Sequence, residues 1–287
     1  MRRFVDLHTH STASDGDLRP ADLVRQAEAE HLAALALTDH DTVAGLNEAR
    51  RAAESLEVRF VPGIEISAIF AGGMLHIIGL GVDSNNGHLQ EITRLLRQAR
   101  NERNPQMVAK LRELGMDVSM NELVALASHG NRSDTDSVMV GRMHMAKLLR
   151  IKGCVGSEAE AFERYIGNGR PAYVDKERLS AREVIDAVHS AGGMAILAHP
   201  CELNCANNAV LERVVKSLVH DGIDGIEVYH SSHRDRQTST YLNLARSLRL
   251  MVSGGSDFHG SAKSGVKLGR PRVPLEVVEQ ILAKVTV

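Results

Sequence analysis

Two histidines, His8 and His10, stand one residue apart near the start of the chain, and Asp15 follows within the same stretch, DLHTHSTASDGD. Because side chains alternate along a strand, His8 and His10 would point to the same face of an extended segment. Imidazole nitrogens and carboxylate oxygens together can bind a transition metal. A histidine pair alone is more often an ordinary polar stripe, so the rest of the chain must decide between the two interpretations.

Histidines and carboxylates recur where short apolar runs end. The residues in such positions are His8, His10, Asp39, His40, Asp41, Glu65, His199, His230, Asp257 and His259, and His76 lies inside another run. If the runs are strands of a parallel barrel, their carboxyl ends meet at one mouth. Crowded imidazoles there need partners, which metal ions would supply. The ligand mix suits Mn, Fe or Zn, and the number of ligands predicts at least two ions with Glu65 as a shared carboxylate.

Seven short apolar runs bounded by turn residues predict the strands. They cover residues 4–8, 32–39, 58–67, 75–82, 194–200, 225–230 and 250–259. Helical patterns stand between most of them, at residues 20–31, 42–56, 180–193 and 208–222. Alternating strands and helices indicate an α/β protein with a parallel sheet. Seven strands favour a closed barrel, and an open doubly wound sheet is the alternative.

The alternation breaks between about residues 95 and 170, where the patterns are helical. We therefore predict a barrel in two parts, residues 1–95 and 171–287, with a helical insertion at 96–170. The insertion is either a cap that recognises substrate or a set of extra helices with no role at the site.

Composition excludes several classes of protein. A net charge of -2 argues against a duplex nucleic-acid binder, and 3% aromatic residues with no Trp argue against a long stacking platform. No apolar run is long enough for a membrane span, and no signal sequence follows the first arginines, so a cytoplasmic protein is expected. No obligate protein partner is evident from the sequence. Three cysteines, Cys154, Cys201 and Cys205, fit neither a disulfide framework nor a usual zinc site.

Two neighbouring metal ions can generate hydroxide near neutral pH and can stabilise the oxygens of a phosphoryl transfer. Hydrolysis of a phosphate ester is therefore the leading chemistry. A Ser/His/Asp mechanism is less economical because no serine stands in a GxSxG-like turn.

The motifs DLHTHSTASDG, LTDHDT, GIEIS, HIIG, AHP and GSDFH, in this order, resemble those of the polymerase and histidinol phosphatase (PHP) superfamily. The resemblance implies a distorted (β/α)7 barrel, the PHP fold, with a trinuclear metal centre. It assigns His8, His10, Glu65 and Asp257 to one metal, Glu65, His76 and His199 to a second, and Asp15, His40 and His259 to a third. We expect Mn²⁺, with two or three ions per chain, and Zn²⁺ or Fe²⁺ as alternatives.

The GRMHMA stretch of the insertion resembles the TrpH-like, or nucleoside 3′,5′-bisphosphate phosphatase, branch of that superfamily. Members of that branch remove the 3′-phosphate from substrates such as adenosine 3′,5′-bisphosphate (pAp), giving AMP and phosphate. Arg142 and His144 in this stretch, with Lys176 and His230, are the candidates for substrate binding, since an arginine fork suits phosphate. The chain departs from the branch after AHP, where CELNCANN occupies residues 201–208.

The predicted mechanism is in-line attack by a metal-bridging hydroxide, with the substrate a small nucleotide. His8, Glu65 and Asp257 would act in catalysis through the metals, and His230 would protonate the leaving oxygen. Three alternatives stay open: a 5′-to-3′ exoribonuclease acting on short RNA, a histidinol-phosphate phosphatase with the same cluster, and a binding module without catalysis.

Overall fold

An eight-stranded sheet lies at the centre of the protein, in a computed structural model that describes residues 3–128, 139–260, 263 and 265–285. The strands in chain order are β1 (Phe4–Asp6), β2 (Ala34–Leu37), β3 (Arg59–Ala68), β4 (Leu75–Leu80), β5 (Met194–Leu197), β6 (Gly225–His230), β7 (Met251–Gly255) and β8 (Val273–Pro274). Neighbouring strands pair in the order β7-β6-β5-β4-β3-β2-β1-β8. The predicted α/β barrel is confirmed, with β8 as a short strand that the sequence patterns did not predict.

The sheet curls until the segments after β1 and β7 meet. The backbone nitrogen of Leu7 donates to the carbonyl of Gly254 at 3.2 Å, and the nitrogen of Asp257 donates to the carbonyl of His8 at 2.8 Å. A further bond joins the nitrogen of His10 to the carbonyl of Phe258 at 2.9 Å. These bonds nearly close the barrel, and they bring the first and last of the predicted metal-binding segments side by side.

One strand runs against the predicted direction. β1, β2 and β3 are parallel, as are β5, β6 and β7, but β4 is antiparallel to both β3 and β5. The prediction of a wholly parallel sheet was therefore wrong at β4. Residues 69–74 join β3 to β4, and so short a connection permits a hairpin but not a helical crossover. As a result β4 starts at the mouth, where its antiparallel neighbours β3 and β5 end, and this places His76 there.

Helices surround the barrel and build the insertion. The α-helices in the described part of the chain are α1 (Pro20–Ala29), α2 (Leu46–Ala53), α3 (Gly87–Glu113), α4 (Met120–Ala127), α5 (Arg142–Ile151), α6 (Glu158–Ala161), α7 (Ala181–Ser190), α8 (Asn208–Asp221), α9 (Asp235–Leu248) and α10 (Leu275–Leu282). A turn of π-helix at Phe162–Ile166 and a 3₁₀-helix at Pro200–Leu203 accompany them. The sequence sets their ends locally: α1 begins with Pro20, and α7 begins with a capping box in which Ser180 and Glu183 satisfy each other's backbone. Among the described helices, none is both long and apolar enough to cross a membrane.

The strands separate two apolar clusters. Leu35 and Leu37 of β2 pack toward the surrounding helices, while Ala34 and Ala36 join the inner cluster, as the alternation of side chains requires. Helix α10 adds Ile281 to the inner cluster, which reaches as far as Leu7 and Ala198, the residues directly before His8 and His199. Apolar filling therefore gives way to polar residues directly after Leu7 and Ala198.

The insertion has a hydrophobic cluster of its own. This cluster gathers buried side chains from Met107 to Ala172, including Leu149 of α5. Helix α3 joins both parts, because Leu96 packs into the barrel core and Met107 into the insertion core. The predicted boundary at residues 95 and 96 thus falls within a continuous helix, and residues 129–138 of the predicted insertion lie outside the described residues.

Candidate metal centre and substrate cavity

A cavity of about 600 Å³ opens at the mouth of the barrel, between the strand ends and the helical insertion. Seven of the nine predicted metal ligands line it, namely Asp15, His40, Glu65, His76, His199, Asp257 and His259. The other two, His8 and His10, are fully buried in the segment after β1. The structure therefore brings all nine residues to one place from positions spread across 252 residues of chain (8 to 259).

Four of the residues form a first group around Glu65. Its Oε2 lies 3.5 Å from Nε2 of His8 and 3.4 Å from Nε2 of His10. Oδ1 of Asp257 lies 3.5 Å and 3.2 Å from the same two nitrogens. Two imidazoles and two carboxylates thus converge on one small volume.

The other oxygen of Glu65 faces a second group. Oε1 lies 2.9 Å from Nδ1 of His76 and 2.8 Å from Nε2 of His199. The carboxylate of Glu65 therefore divides its two oxygens between the first and second groups, which is the arrangement expected of a bridging ligand.

A third group forms around Asp15. Its Oδ1 lies 3.4 Å from Nε2 of His259, and its Oδ2 lies 4.0 Å from Nε2 of His40. His10 adjoins this group too, with Nδ1 3.9 Å from Oδ1 of Asp15. Asp39 orders the loop that carries Asp15, because its carboxylate accepts hydrogen bonds from Ser11 and Ser14.

Several buried polar atoms at the centre make no hydrogen bond despite these short distances. They include Nε2 of His8, both ring nitrogens of His10, Nδ1 of His40, Oε2 of Glu65 and Nδ1 of His199. A buried polar atom without a partner costs free energy, so a site with this many is suited to bind cations. Nitrogen and oxygen donors without thiolates fit Mn, Fe or Zn. The residues present therefore suit a multinuclear metal centre.

The protonation states of Glu65 and His10 suit metal binding. Burial would raise the pKa of Glu65, but His40, His76 and His8 hold it well below its ordinary value, so the carboxylate is ionised. Burial, together with His259 and His40, lowers the pKa of His10 to about 3. His10 is therefore neutral at pH 7, the form in which imidazole binds metals. Against the effect of burial, Glu65 and Asp15 raise the pKa of His40 to about 9, so a metal would displace a proton there.

Two of the predicted substrate-binding residues do not line the cavity. Nδ1 of His144 accepts the backbone N–H of Gly141 at 3.1 Å, which caps the start of α5. Nδ1 of His230 accepts the backbone N–H of Ser232, and its Nε2 faces Oδ2 of Asp257 at 3.5 Å. Substrate contact by either residue stays a prediction, and these placements do not favour it.

The other two line the cavity, with basic residues that sequence reasoning missed. Arg142 lies over the rings of Phe162 and Tyr173, at 5.7 Å and 5.5 Å from their centroids. Lys176 shares Asp41 with Arg100, a residue of α3 that also lines the cavity. In the part of the chain that the structure describes, the basic residues in the wall are Arg100, Arg103, Arg142, Lys176, Arg178 and Lys263.

Glu227 was also missed. It is fully buried on β6 and contacts His8 and the backbone of His199 from beneath the first two groups. A signal was present in the sequence, because a carboxylate inside the apolar stretch GIEVYH needs a buried partner.

Comparison with known proteins agrees with this site. The family model of the PHP domain matches residues 6–254. A 5′-3′ exoribonuclease of Haemophilus influenzae is 35% identical over 259 residues, which cover 90% of this chain and 91% of the relative. A 3′,5′-nucleoside bisphosphate phosphatase of Chromobacterium violaceum is 33% identical over 265 residues, which cover 92% of this chain and 90% of the relative.

Two solved structures share the whole architecture. A protein of Bifidobacterium adolescentis, described as a candidate metal-dependent phosphoesterase, superposes with a TM-score of 0.88 at 30% identity, covering 99% of this chain and 96% of the other. An amidohydrolase of Chromobacterium violaceum, described with bound sulfate and no metal, has a TM-score of 0.85 at 31% identity and covers 98% and 97% of the two chains.

The fold, the ligand groups and these matches define one class, and the chain belongs to the PHP domain family. The predicted resemblance is thereby confirmed. Within the family this chain is a hydrolase of the metal-dependent phosphoesterase type.

Proposed function

We propose that this protein removes the 3′-phosphate of nucleoside 3′,5′-bisphosphates, converting pAp to AMP and phosphate. The observation that carries the proposal is that one cavity is lined by two kinds of residue. The predicted metal ligands are called the metal pole, and the basic residues of the insertion and of the segment after it, Arg100, Arg103, Arg142, Lys176 and Arg178, are called the basic pole. A substrate with a single phosphate needs only the metal pole, whereas a bisphosphate has a phosphate for each.

Positive charge at the basic pole is only partly neutralised. The carboxylate of Asp41 accepts hydrogen bonds from both Arg100 and Lys176. Arg103 donates to the amide oxygen of Asn104, so within the described residues it has no carboxylate at hydrogen-bond distance. Burial, together with Arg100 and Arg142, lowers the pKa of Arg103 to about 9. A second phosphate would relieve this repulsion and would accept the forked hydrogen bonds that arginine offers.

The substrate's two phosphates then have distinct places. The basic residues bind the 5′-phosphate and exclude water from it, and the ligand groups face the 3′-phosphate. When bound, metal ions supply the activation of water and the stabilisation of negative charge on the phosphoryl oxygens. We propose Mn²⁺ as the metal and two or three ions per chain, held by the three groups around Glu65, His76 and Asp15.

The second candidate is a 5′-to-3′ exoribonuclease on short RNA, and the relative from Haemophilus influenzae favours it. The two activities share one chemical step. In both, water attacks a phosphorus atom and the 3′-oxygen of a nucleotide that carries a 5′-phosphate leaves. The substrates differ only in what else the phosphorus carries: a free oxygen in pAp and the next nucleotide in RNA. The same two poles therefore serve either substrate, and rates must decide between them.

The experiment compares phosphate or nucleotide release from four substrates with Mn²⁺ supplied: pAp, 3′-AMP, a 5′-phosphorylated dinucleotide and histidinol phosphate. The proposal expects pAp to give the highest kcat/KM and 3′-AMP, which lacks the 5′-phosphate, to show a raised KM. Faster cleavage of the dinucleotide would favour the exoribonuclease. Faster cleavage of histidinol phosphate would contradict both candidates.

Two substitutions in α3 distinguish binding of the 5′-phosphate at the cavity wall from a general effect of removing positive charge. Arg103→Met removes a buried cation from the cavity wall, and Arg112→Met removes an exposed one further along the same helix. Arg103→Met should raise KM for pAp about tenfold or more, as loss of a charged hydrogen bond predicts, and should change KM for 3′-AMP little. Arg112→Met should leave both unchanged. Equal effects of Arg103→Met on the two substrates would contradict a 5′-phosphate role.

A further inference from the structure

Glu227 is a buried carboxylate that contacts two of the three metal-ligand groups without lining the cavity. Its side chain is fully buried on β6. Oε1 lies 3.1 Å from Nδ1 of His8, and Oε2 accepts the backbone N–H of His199 at 2.7 Å. One side chain thus connects a residue of the first group to a residue of the second.

The contact with His8 determines which ring nitrogen is free. A carboxylate can only accept hydrogen bonds, so the proton of a neutral His8 resides on Nδ1 and is donated to Glu227. Nε2 then keeps its lone pair, and it is this nitrogen that points at Glu65 and Asp257. A carboxylate behind a histidine ligand commonly fixes the ring and its tautomer in this manner.

The contact with His199 stabilises an unusual backbone conformation at that residue. His199 has φ of 24° and ψ of 66°, in a region that side chains other than glycine rarely occupy, and Pro200 follows it. The bond from its backbone nitrogen to Glu227 is short and buried, so it can offset the strain of this conformation. The conformation in turn directs Nε2 of His199 to within 2.8 Å of Oε1 of Glu65.

A third histidine completes the surroundings of Glu227. Nδ1 of His230 accepts the backbone N–H of Ser232, so the proton of a neutral ring is on Nε2. That nitrogen faces Oδ2 of Asp257 at 3.5 Å and Oε2 of Glu227 at 4.0 Å. Within the described residues, the partners at hydrogen-bond distance from Glu227 are Nδ1 of His8 and the backbone N–H of His199, and both donate, so a side chain that itself donates cannot replace the carboxylate without losing a bond.

We propose that Glu227 is a positioning residue for the metal centre, which fixes the tautomer of His8 and the backbone of His199 so that ligands of two different metals are preset by one carboxylate. It acts through these histidines and does not touch the substrate. The proposal holds for any phosphoester that the centre cleaves, so it stands or falls independently of the bisphosphate assignment.

Glu227→Gln is the decisive substitution because it keeps size and shape. The amide offers one acceptor oxygen and one donor NH₂ to two neighbours that both donate. If its oxygen faces His199, its NH₂ forces His8 into the other tautomer, with a proton on the nitrogen needed for metal. If its oxygen faces His8, the backbone N–H of His199 loses its acceptor. Glu227→Asp keeps both acceptor oxygens and serves as the conservative variant.

A matched control lies elsewhere in the chain. Oδ2 of Asp224 accepts the backbone N–H of Ala195 at 2.8 Å and lies 2.7 Å from Nε2 of His189. This carboxylate therefore has the same kinds of partner as Glu227, away from the metal-ligand groups. Asp224→Asn tests whether any such exchange disturbs metal binding.

The experiment measures Mn²⁺ affinity and stoichiometry by calorimetry and elemental analysis, with thermal unfolding of each metal-free protein. Glu227→Gln should bind Mn²⁺ about 10- to 100-fold more weakly, Glu227→Asp should recover much of this loss, and Asp224→Asn should match the wild type. In ¹⁵N spectra of histidine-labelled protein loaded with diamagnetic Zn²⁺, the wild-type His8 ring should carry a proton on Nδ1 and none on Nε2, and Glu227→Gln should lose this pattern, with His8→Asn identifying the signal.

Three results would overturn the proposal. The first is wild-type affinity and stoichiometry in Glu227→Gln. The second is an equal loss of affinity in Glu227→Gln and Glu227→Asp with no change of His8 tautomer. The third is failure of Glu227→Gln to fold without metal, because Glu227 would then act in the fold and not in the centre.

Discussion

Nζ of Lys176 lies 2.8 Å from Oδ2 of Asp41, and Asp41 directly follows the predicted metal ligand His40 in the chain. The same oxygen accepts from Arg100 of α3. The loop that carries a metal ligand is therefore tied to the basic pole of the cavity by a buried cluster of opposite charges. Removing the carboxylate of Asp41 would leave two buried cations facing each other, which is far more costly than losing a surface ion pair.

Lys176 gives a pH dependence. Burial and the nearby Arg100, opposed by Asp41, lower its pKa to about 8. Above that pH the lysine loses its proton and the cavity loses a positive charge. The value of kcat/KM for pAp should therefore fall about tenfold per pH unit. The value of kcat should change less, because bound phosphate keeps the lysine protonated. Initial rates from pH 6.5 to 9.5 measure this. In Lys176→Arg, which stays charged, the alkaline fall should disappear; an unchanged profile would assign the fall to another group.

Gly255 should be sensitive to a single methyl group. A Cβ there would lie 2.4 Å from the backbone nitrogen and the Cβ of His8. Because backbone would have to move, we expect Gly255→Ala to lower the free energy of unfolding by about 1–3 kcal/mol and to weaken metal binding at His8. Gly87→Ala, at the first residue of α3 where nothing lies within 4 Å, is the control and should be neutral or slightly stabilising. Melting curves and metal titration of both variants test the close approach, and identical results for the two would refute it.

The predicted ligands can be tested one at a time. His8→Ala and Asp257→Asn should each reduce kcat/KM roughly 10²- to 10³-fold or more, the scale of losing one group that stabilises a transition state. Asparagine is chosen because Asp257 has φ of 56°, which asparagine tolerates better than alanine. His220→Ala, on the exposed surface of α8, should have wild-type activity. Full activity in either ligand variant would remove that residue from the centre.

Metal supply should stabilise the fold. An ion at about 100 times its Kd adds about 2.7 kcal/mol per site to the free energy of unfolding. For a chain of this size that corresponds to a rise in Tm of about 5–10 °C. Scanning calorimetry with Mn²⁺, Zn²⁺, Fe²⁺ and chelator measures the rise for each ion. Equal Tm values in all four conditions would contradict a metal centre built from these groups.

The positions of most predicted ligands could be found because they follow strand ends, and a strand end can be located from an apolar run. His40 after β2 and His199 after β5 were located in this way, and the structure places both at the mouth. His76 did not fit the rule, since it stood inside its run. Strand direction resolves the exception, and direction depends on the loop of residues 69–74 and not on the strand's own pattern.

Basic residues of the cavity could not be predicted in the same way. Arg100 and Arg103 stand three residues apart and so share a face of α3, but charged residues at that spacing usually belong to a solvated face. Which face of a helix meets the barrel depends on how the insertion packs, and that is set by contacts between distant segments. Glu227 was missed for a related reason: its partners, His8 and His199, lie far from it in sequence.

Helix α3 crosses from one hydrophobic core to the other, and this has a consequence for how such proteins diversify. The strands that hold the ligand groups are stabilised by the barrel core, while Arg142 is carried by a helix whose apolar side chains pack in the insertion core. Substitutions of side chains packed in the insertion core can therefore reshape the basic pole around Arg142 while leaving the predicted metal ligands in place. Arg100 and Lys176, by contrast, stay coupled to the His40 loop through Asp41. Selectivity that depends on Arg142 can thus be selected, or engineered, separately from the metal centre.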